Sequence, residues 1–191
     1  CVDFTNDQIL YLGTGDHNYY YSGSGVWKTT DGGNTFTQIG LNNTLVVDMI
    51  MDPLNNNTIV AVTNQGIYKT NNAGTSWTLK STMRPFDDLK QKSNTSRVLY
   101  ACTTDSAFYR STDFGETWAQ ITNGIILPSG VFNGNGCRIA VTPADTNIVY
   151  LGMLANGGML YKSTDGGTTF SAIKTNASPY LTYYNNAANS S

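Results

Sequence analysis

Four aspartates in loop-like stretches of the sequence have the chemistry for acid–base catalysis. Asp16 lies in a segment rich in Gly and Tyr, Asp87 and Asp88 are adjacent, and Asp105 precedes a serine. Hydrolysis of a glycosidic bond needs two carboxylates on opposite sides of that bond, about 5–10 Å apart. Adjacent carboxylates can also bind a cation or raise each other's pKa. Asp16, Asp87 and Asp88 are the catalytic candidates, and spacing alone does not select a pair.

The segment of residues 15–23 is the most unusual stretch of the chain. It contains the only histidine, His17, and three consecutive tyrosines, Tyr19, Tyr20 and Tyr21. Aromatic rings beside hydrogen-bonding groups suit sugars, which present apolar faces and hydroxyl edges. Together with Arg84, these residues are the candidate ligand-binding set. The alternative is an ordered loop whose tyrosines cover a neighbouring sheet.

Metal and cofactor sites receive no support from the sequence. One histidine and three scattered cysteines do not make a zinc cluster. No EF-hand spacing occurs, and the Gly-x-Gly pairs do not precede a helix that could bind phosphate. We predict no metal and no cofactor.

The composition argues against several classes of protein. The chain has 191 residues, 13% charged residues and a net charge of -2, and Glu116 is its only glutamate. It lacks the residues that fill helix surfaces, whereas Thr, Tyr, Val, Gly and Asn suit strands and turns. Without a basic excess we predict no nucleic-acid partner. The sequence contains no run of about 18 apolar residues, so we predict no membrane-spanning segment.

One motif occurs four times along the chain. The aligned glycines Gly33, Gly74, Gly115 and Gly167 are 41, 41 and 52 residues apart. The longer third interval contains an insertion near residues 125–136. The four copies are Lys-Thr-Thr-Asp-Gly-Gly-Asn-Thr-Phe from residue 28, Lys-Thr-Asn-Asn-Ala-Gly-Thr-Ser-Trp from 69, Arg-Ser-Thr-Asp-Phe-Gly-Glu-Thr-Trp from 110 and Lys-Ser-Thr-Asp-Gly-Gly-Thr-Thr-Phe from 162.

Short apolar segments surround each motif in the same order. Four short strands per repeat of about 40 residues are typical of a β-propeller blade. We therefore predict an all-β propeller of four-stranded antiparallel blades. About 4.5 blades are present, at about residues 1–40, 41–81, 82–122 and 123–174, and residues 175–191 begin the next one. A propeller must close its ring or leave sheet edges exposed, so we expect these blades to be part of a larger propeller of six to eight blades.

The repeated motif itself is predicted to be a structural turn. An Asp side chain can accept hydrogen bonds from the backbone of a tight turn, and Asn can do the same. The glycine adopts a backbone conformation that a Cβ disfavours. The residues in these two roles are Asp31, Asn72, Asp113 and Asp165, with Gly33, Gly74, Gly115 and Gly167.

This pattern, Ser/Thr-x-Asp-x-Gly-x-Thr-Trp/Phe, resembles the Asp-box or BNR repeat of sialidases, xyloglucan-cleaving glycosidases and sortilin-type receptors. The resemblance covers residues 9–173 and implies a propeller that closes with six to eight blades. It also implies ligands on the face opposite the Asp-boxes, around the central channel. The segments from residues 11, 25 and 138 are similar to large cell-surface proteins exported by the bacterial type IX secretion route.

Two functions follow from this resemblance. The favoured one is a secreted or cell-surface module of a longer bacterial chain, which binds a glycan or a cell-surface protein without catalysis. The alternative is a glycoside hydrolase with Asp acid and base residues. Xyloglucan-cleaving relatives carry their acids on two tandem propellers, which a single partial propeller does not match. A sialidase needs an Arg cluster, and Arg84 is the only arginine in the expected face loops.

The three cysteines leave alternatives open. Cys102 and Cys137 are either buried thiols or a disulfide, and Cys1 is either a lipidated terminus or a fragment boundary.

Overall fold

The computed structural model describes residues 1–16, 22–83, 86–93, 97–105, 107–126, 136–153 and 158–174. Within these residues the regular secondary structure consists of β-strands, which form four antiparallel sheets. Strand order follows chain order in each sheet, so each sheet is a meander. The prediction of an all-β fold is confirmed.

The strands of the four sheets, which we call blades 1 to 4, are as follows. Blade 1 contains β1 (Leu10–Gly13), β2 (Val26–Thr29) and β3 (Thr37–Gly40). Blade 2 contains β4 (Val46–Asp52), β5 (Asn55–Thr63), β6 (Gly66–Thr70) and β7 (Thr78–Ser81). Blade 3 contains β8 (Phe86–Gln91), β9 (Leu99–Thr103), β10 (Phe108–Ser111) and β11 (Ala119–Ile121). Blade 4 contains β12 (Cys137–Val141), β13 (Val149–Met153), β14 (Met159–Ser163) and β15 (Ser171–Lys174).

Blade 1 completes its sheet with the first residues of the chain. Val2 forms an antiparallel bridge with Leu10, and the amide of Tyr11 donates to the carbonyl of Cys1 at 2.8 Å. Residues 1–3 thus occupy the position that β4, β8 and β12 hold in the other blades.

The hydrophobic core lies between blades rather than within one layer. Three clusters fill the three successive interfaces. β9 is buried throughout and β5 is buried from Thr58 to Thr63, because both faces of these strands are covered. At the first interface Tyr11 and Val26 pack against Ile59 and Ala61 of the next blade. A run of buried β-branched and aromatic residues is what a strand covered on both faces requires.

One strand differs from the sequence-based prediction. Asp87 and Asp88 are predicted to lie in a loop-like stretch, but β8 begins at Phe86 and contains both of them. Its sequence, Phe-Asp-Asp-Leu-Lys-Gln, is too polar to show the apolar pattern of a buried strand. Asp87 and Asp88 are therefore strand residues, and their placement in a face loop was wrong.

All four repeated turns attach to the same end of their blades. In each blade the residue before the motif glycine donates its amide to a carbonyl at or just before the start of the second strand, at 2.8 to 3.0 Å. The second strands are β1, β5, β9 and β13, with residues 1–3 counted as the first strand of blade 1. These bonds join Gly32 to Gln8, Ala73 to Asn57, Phe114 to Arg97 and Gly166 to Asn147. The loops that follow the second strands therefore lie at the opposite end of each blade.

Candidate functional site

On the face opposite the repeated turns, the loops of blades 1 to 3 each begin with a threonine. Thr63 donates its hydroxyl to the carbonyl of Gly66 at 2.8 Å, and Thr14 does the same to Gly25 at 2.8 Å. Thr103 accepts the amide of Ala107 at 3.1 Å. These bonds close the base of each loop. The sequence signal was a threonine at the end of each of the first three second strands.

The unusual loop of residues 15–23 starts on this face. Gly15 has a φ of 115° and packs against Leu45 and Gly23, where a side chain would clash. Asp16 follows it and is half-buried. Four of the candidate ligand-binding residues, His17, Tyr19, Tyr20 and Tyr21, lie outside the described residues, and so does Arg84.

Asp87 forms contacts with the first strand of the next blade. Its carboxylate accepts the backbone amide of Cys137 and lies 2.7 Å from the guanidinium of Arg138. The side chain of Asp87 is only 3% exposed. The hydrogen bond that Arg138 donates to Asp87, reinforced by the charge of Asp87, raises the pKa of Arg138. One carboxylate thus neutralises a base and satisfies a backbone donor of the neighbouring blade.

Asp88 also connects β8 to the first strand of the next blade. Its carboxylate accepts the amide of Ile139 at 2.8 Å and pairs with Lys90 in its own strand. Lys90 also lies 3.8 Å from Asp48 of the preceding blade. Burial raises the pKa of Asp48, and the charge of Lys90 opposes that rise.

These charges form an inter-blade polar cluster, made of Asp48, Asp87, Asp88, Lys90 and Arg138. It runs across the first strands of three successive blades. Each of these strands lies at an edge of its sheet, so the amides on its free side have no strand partner. Burying such amides is costly unless an acceptor is present. Carboxylates of β8 supply that acceptor for β12. Sequence reasoning missed Asp48 and Lys90 because the first lies in an apolar segment and the second in the unrecognised strand.

Asp105 remains on the loop face. It is exposed, and its carboxylate accepts the hydroxyl of Thr103. Asp16 and Asp105 are thus the acids, among those predicted for the face, that the described structure places in loops.

The repeated turns share one hydrogen-bond pattern. In the first, Asp31 accepts the hydroxyl of Thr29 at 2.6 Å and both the amide and hydroxyl of Thr35 at 2.9 and 2.6 Å. The amide of Gly33 donates back to Thr29 at 3.0 Å. Asp113 and Asp165 repeat these bonds, and Asn72 repeats the bond to its first threonine at 2.8 Å. The carboxylate therefore holds both ends of the turn together.

These bonds favour the ionised carboxylate. The hydroxyl of Thr29, followed by the groups of Thr35, lowers the pKa of Asp31, and bonds from Thr169 lower that of Asp165. For Asp113, burial alone raises the pKa, but bonds from Thr117 and Ser111 outweigh it and the net shift is downward. Low pKa values here arise from turn structure and do not indicate catalysis.

The motif glycines of blades 2 to 4 also contact the preceding blade. A Cβ on Gly74 would lie 2.2 Å from Ile39, one on Gly115 would lie 2.7 Å from Val60, and one on Gly167 would lie 2.8 Å from Tyr100. At Gly33, in blade 1, the nearest atom is 4.0 Å away in Phe36 of the same turn. The repeated turn is thus also part of the contact between blades.

The cysteines and the remaining charges add no metal site. Within the described ranges no group of three or more His, Cys, Asp or Glu side chains is arranged to hold a metal. Cys102 and Cys137 are buried free thiols at the third interface, and burial raises the pKa of Cys102. No helix in the described part of the chain is long and apolar enough to cross a membrane.

Comparison with known sequences relates the chain to two groups. The Sortilin-Vps10 family profile, described as "Sortilin, neurotensin receptor 3", matches residues 24–127. A xyloglucanase of Hypocrea jecorina is 44% identical over 72 residues, which are 37% of this chain and 8% of that protein. A xyloglucanase of a Paenibacillus species is 30% identical over 107 residues, covering 48% of this chain and 10% of that protein. The chain thus spans about a tenth or less of these relatives' length.

Solved structures show the same architecture at low sequence identity. The GH74 xyloglucanase of Xanthomonas campestris superposes with a TM-score of 0.71 at 17% identity, covering 91% of this chain and 29% of that one. The GH74 enzyme of Niastella koreensis gives a TM-score of 0.66 at 22% identity, covering 90% and 28%. These likenesses confirm the predicted β-propeller fold and the predicted resemblance to sortilin and xyloglucanase propellers.

Proposed function

The chain belongs to the Sortilin-Vps10 family, and from that premise we propose that it is an extracellular Asp-box propeller module that binds a plant-type polysaccharide without cleaving it. The observation that carries the proposal is the local sequence identity of up to 44% to enzymes named xyloglucanases. A β-glucan decorated with xylose is therefore the first ligand class to test.

The ligand surface that we propose is the loop face opposite the Asp-boxes. Loops based on Thr14, Thr63 and Thr103 project there. The sequence after Asp16 provides His17 and the tyrosines Tyr19, Tyr20 and Tyr21, and Arg84 precedes β8. Tyrosine rings stack on the apolar faces of sugars, while their hydroxyl groups and nearby polar side chains bond the sugar hydroxyls.

The structure of the acids favours binding over hydrolysis. Asp87 and Asp88 are buried and accept amides of the next blade, so their carboxylates already have structural partners. Of the acids predicted for the face, Asp16 and Asp105 remain in loops. The second candidate function is a glycoside hydrolase, which the names of the sequence relatives favour. In that case Asp16 is the acid that we expect to be essential.

One experiment separates the two functions. Purified protein is titrated with xyloglucan oligosaccharides by calorimetry, and new reducing ends are measured in the same mixtures over a long incubation. We expect binding without new reducing ends, and weaker binding when Tyr20→Ala and Tyr21→Ala are combined. New reducing ends that Asp16→Asn abolishes, in a variant with unchanged thermal stability, would establish the hydrolase. Unchanged binding by the tyrosine variant would refute the proposed surface.

We further propose that the chain is one part of a longer polypeptide with a propeller of six to eight blades. The proposed divisions are about residues 1–40, 41–81, 82–122 and 123–174, with the next blade beginning in residues 175–191. Cell-surface display, with glycans or surface proteins as partners and export by the type IX route, belongs to the same proposal. It is supported by the similarity to much longer proteins, of which this chain spans a small part. The complete reading frame tests it directly.

A further inference from the structure

One pair of positions recurs at each of the three interfaces between blades. On the earlier blade it is the second-strand residue that pairs with the third-strand residue two places before the Lys or Arg of the repeated motif. On the later blade it is the residue that begins the first strand. The three pairs are Gly13 with Val46, Val62 with Phe86, and Cys102 with Cys137. The third interface therefore has two cysteines at this position.

The first interface shows how closely the two strands approach at this position. A Cβ on Gly13 would lie 2.9 Å from the Cβ of Val46 and 2.7 Å from its Cγ1. In a disulfide the two Cβ atoms are about 3.5–4.5 Å apart. An interface that is slightly wider, because both residues have side chains, thus brings two Cβ atoms to the separation that a disulfide requires.

Cys102 and Cys137 meet at this position of the third interface. Both are 0% exposed, and both belong to the cluster that fills the interface. The amide of Cys137 donates to Asp87. Asp88, which is the strand partner of Cys102, accepts the amide of Ile139. These bonds hold β12 against β8 and β9. Burial raises the pKa of the Cys102 thiol, and a hydrogen bond with Cys137 adds to that rise, so the two sulfur atoms are in contact.

We propose that Cys102 and Cys137 are an oxidation site, at which a disulfide joins blades 3 and 4 when the protein meets a small-molecule disulfide. The thiolate of one cysteine attacks that oxidant, which forms a mixed disulfide and releases one small thiol. The thiolate of the other cysteine then attacks the protein sulfur, which forms the bond between the blades and releases the second small thiol. Two protein thiols are oxidised, one small disulfide is reduced, and the two protons pass to the released thiolates.

This inference goes beyond the proposed function, because the bond does not depend on any ligand. The extracellular location that we proposed is an environment in which disulfides form and persist. Burial determines when the bond forms: the thiolate is the reactive form, and both sulfurs are shielded from solvent in the folded chain. Oxidation is therefore slow in the folded protein and faster while the chain folds, and the completed bond is protected from reductants.

Refolding in a glutathione redox buffer tests the pairing in the 191-residue chain with Cys1→Ser. Cleavage after Lys and Arg separates residues 98–110, which contain Cys102, from residues 111–138, which contain Cys137. We expect these two peptides to be joined in the non-reduced digest and separate after reduction. Cys102→Ser and Cys137→Ser are the matched controls and should give glutathione adducts or free thiols. The same products from the chain with both cysteines, without the joined peptide, would overturn the proposal.

Stability shows whether the folded structure favours the bond. The two cysteines are 35 residues apart, and a disulfide that closes such a loop should raise the melting temperature of the oxidised over the reduced protein by about 5–15 °C. The glutathione equilibrium should favour the disulfide about 10²–10³-fold more strongly in native buffer than in concentrated urea. An unchanged or lower melting temperature, or equal equilibria in the two solvents, would contradict the proposal. Neither readout involves a polysaccharide, so failure of the proposed function would leave both unchanged.

Discussion

The motif glycines offer a direct test of how the blades hold together. Gly33 and Gly115 occupy the same position of the repeated turn, and both have a positive φ, of 97° and 77°. An alanine at either site incurs the backbone strain of that region, about 1–2 kcal/mol. Only Gly115 also contacts a neighbouring blade, because its added Cβ would lie 2.7 Å from a methyl group of Val60.

The contact at Gly115 sets the size of the expected difference. Val60 is 0% exposed, so it has little room to move away from the new methyl group. Forcing one methyl group into a packed interface costs about 1–3 kcal/mol. We therefore expect Gly33→Ala to cost about 1–2 kcal/mol and Gly115→Ala about 2–5 kcal/mol of unfolding free energy.

Urea unfolding at fixed temperature measures this difference, with thermal unfolding as a second probe. An excess loss of about 1–3 kcal/mol in a domain of this size corresponds to an additional fall of about 2–12 °C in melting temperature. In a Val60→Ala background, Gly115→Ala should cost less unfolding free energy than it does in the wild type, since the new methyl group then has space. Equal losses for the two single variants would refute the idea that the turn seats on the preceding blade.

Three further predictions concern the charged residues. The pKa of Asp165 is lower in the folded state than the unfolded value of about 3.9. The contribution of Asp165 to the unfolding free energy is therefore complete above about pH 4 and is lost as the pH falls further. Acid titration of the unfolding free energy should show this loss, and Asp165→Asn should show a smaller one. Asp87→Ala should cost about 2–4 kcal/mol by urea unfolding, because it removes a buried partner of Arg138 and a backbone acceptor, and a neutral result would contradict the structural role. Glu116→Gln should cost about 0.5–1 kcal/mol, and less at high salt, because its partner Lys69 is 4% exposed but Glu116 itself is 47% exposed; a loss independent of salt would argue against an ion pair.

The sequence was sufficient to predict the fold because its signals are local. Each turn carries its own acceptor and glycine within a few residues, so Asp31 and Gly33 identify a turn without reference to the rest of the chain. The apolar third strands, such as β6 and β10, precede those turns at fixed spacing. Local patterns of this kind survive in one sequence and repeat along it.

The role of β8 could not be predicted, since it depends on another blade. Asp87 and Asp88 look like loop acids or a catalytic pair when only neighbouring residues are considered. Their carboxylates accept hydrogen bonds from the amides of Cys137 and Ile139, which are about 50 residues away in sequence. A buried carboxylate that satisfies a distant strand edge has no local signature, and the same holds for Asp48 and Lys90.

The position of the loop face could be predicted, but the side chains that meet on it could not. Threonines at the ends of second strands mark the loop face, and the tyrosine-rich segment follows directly from the first of them. Which side chains meet on that face depends on loop conformations that neither periodicity nor spacing defines. The proposed ligand set of His17, Tyr19, Tyr20, Tyr21 and Arg84 therefore stays a prediction.

The central claim is that the propeller binds a xylose-decorated glucan and does not hydrolyse it. The most direct measurement is retention of the purified chain on immobilised xyloglucan, with reducing-end release measured on the same material. We predict retention that soluble xyloglucan oligosaccharides compete away, with no release above a protein-free control. No retention, or release that disappears in Asp16→Asn, would contradict the claim.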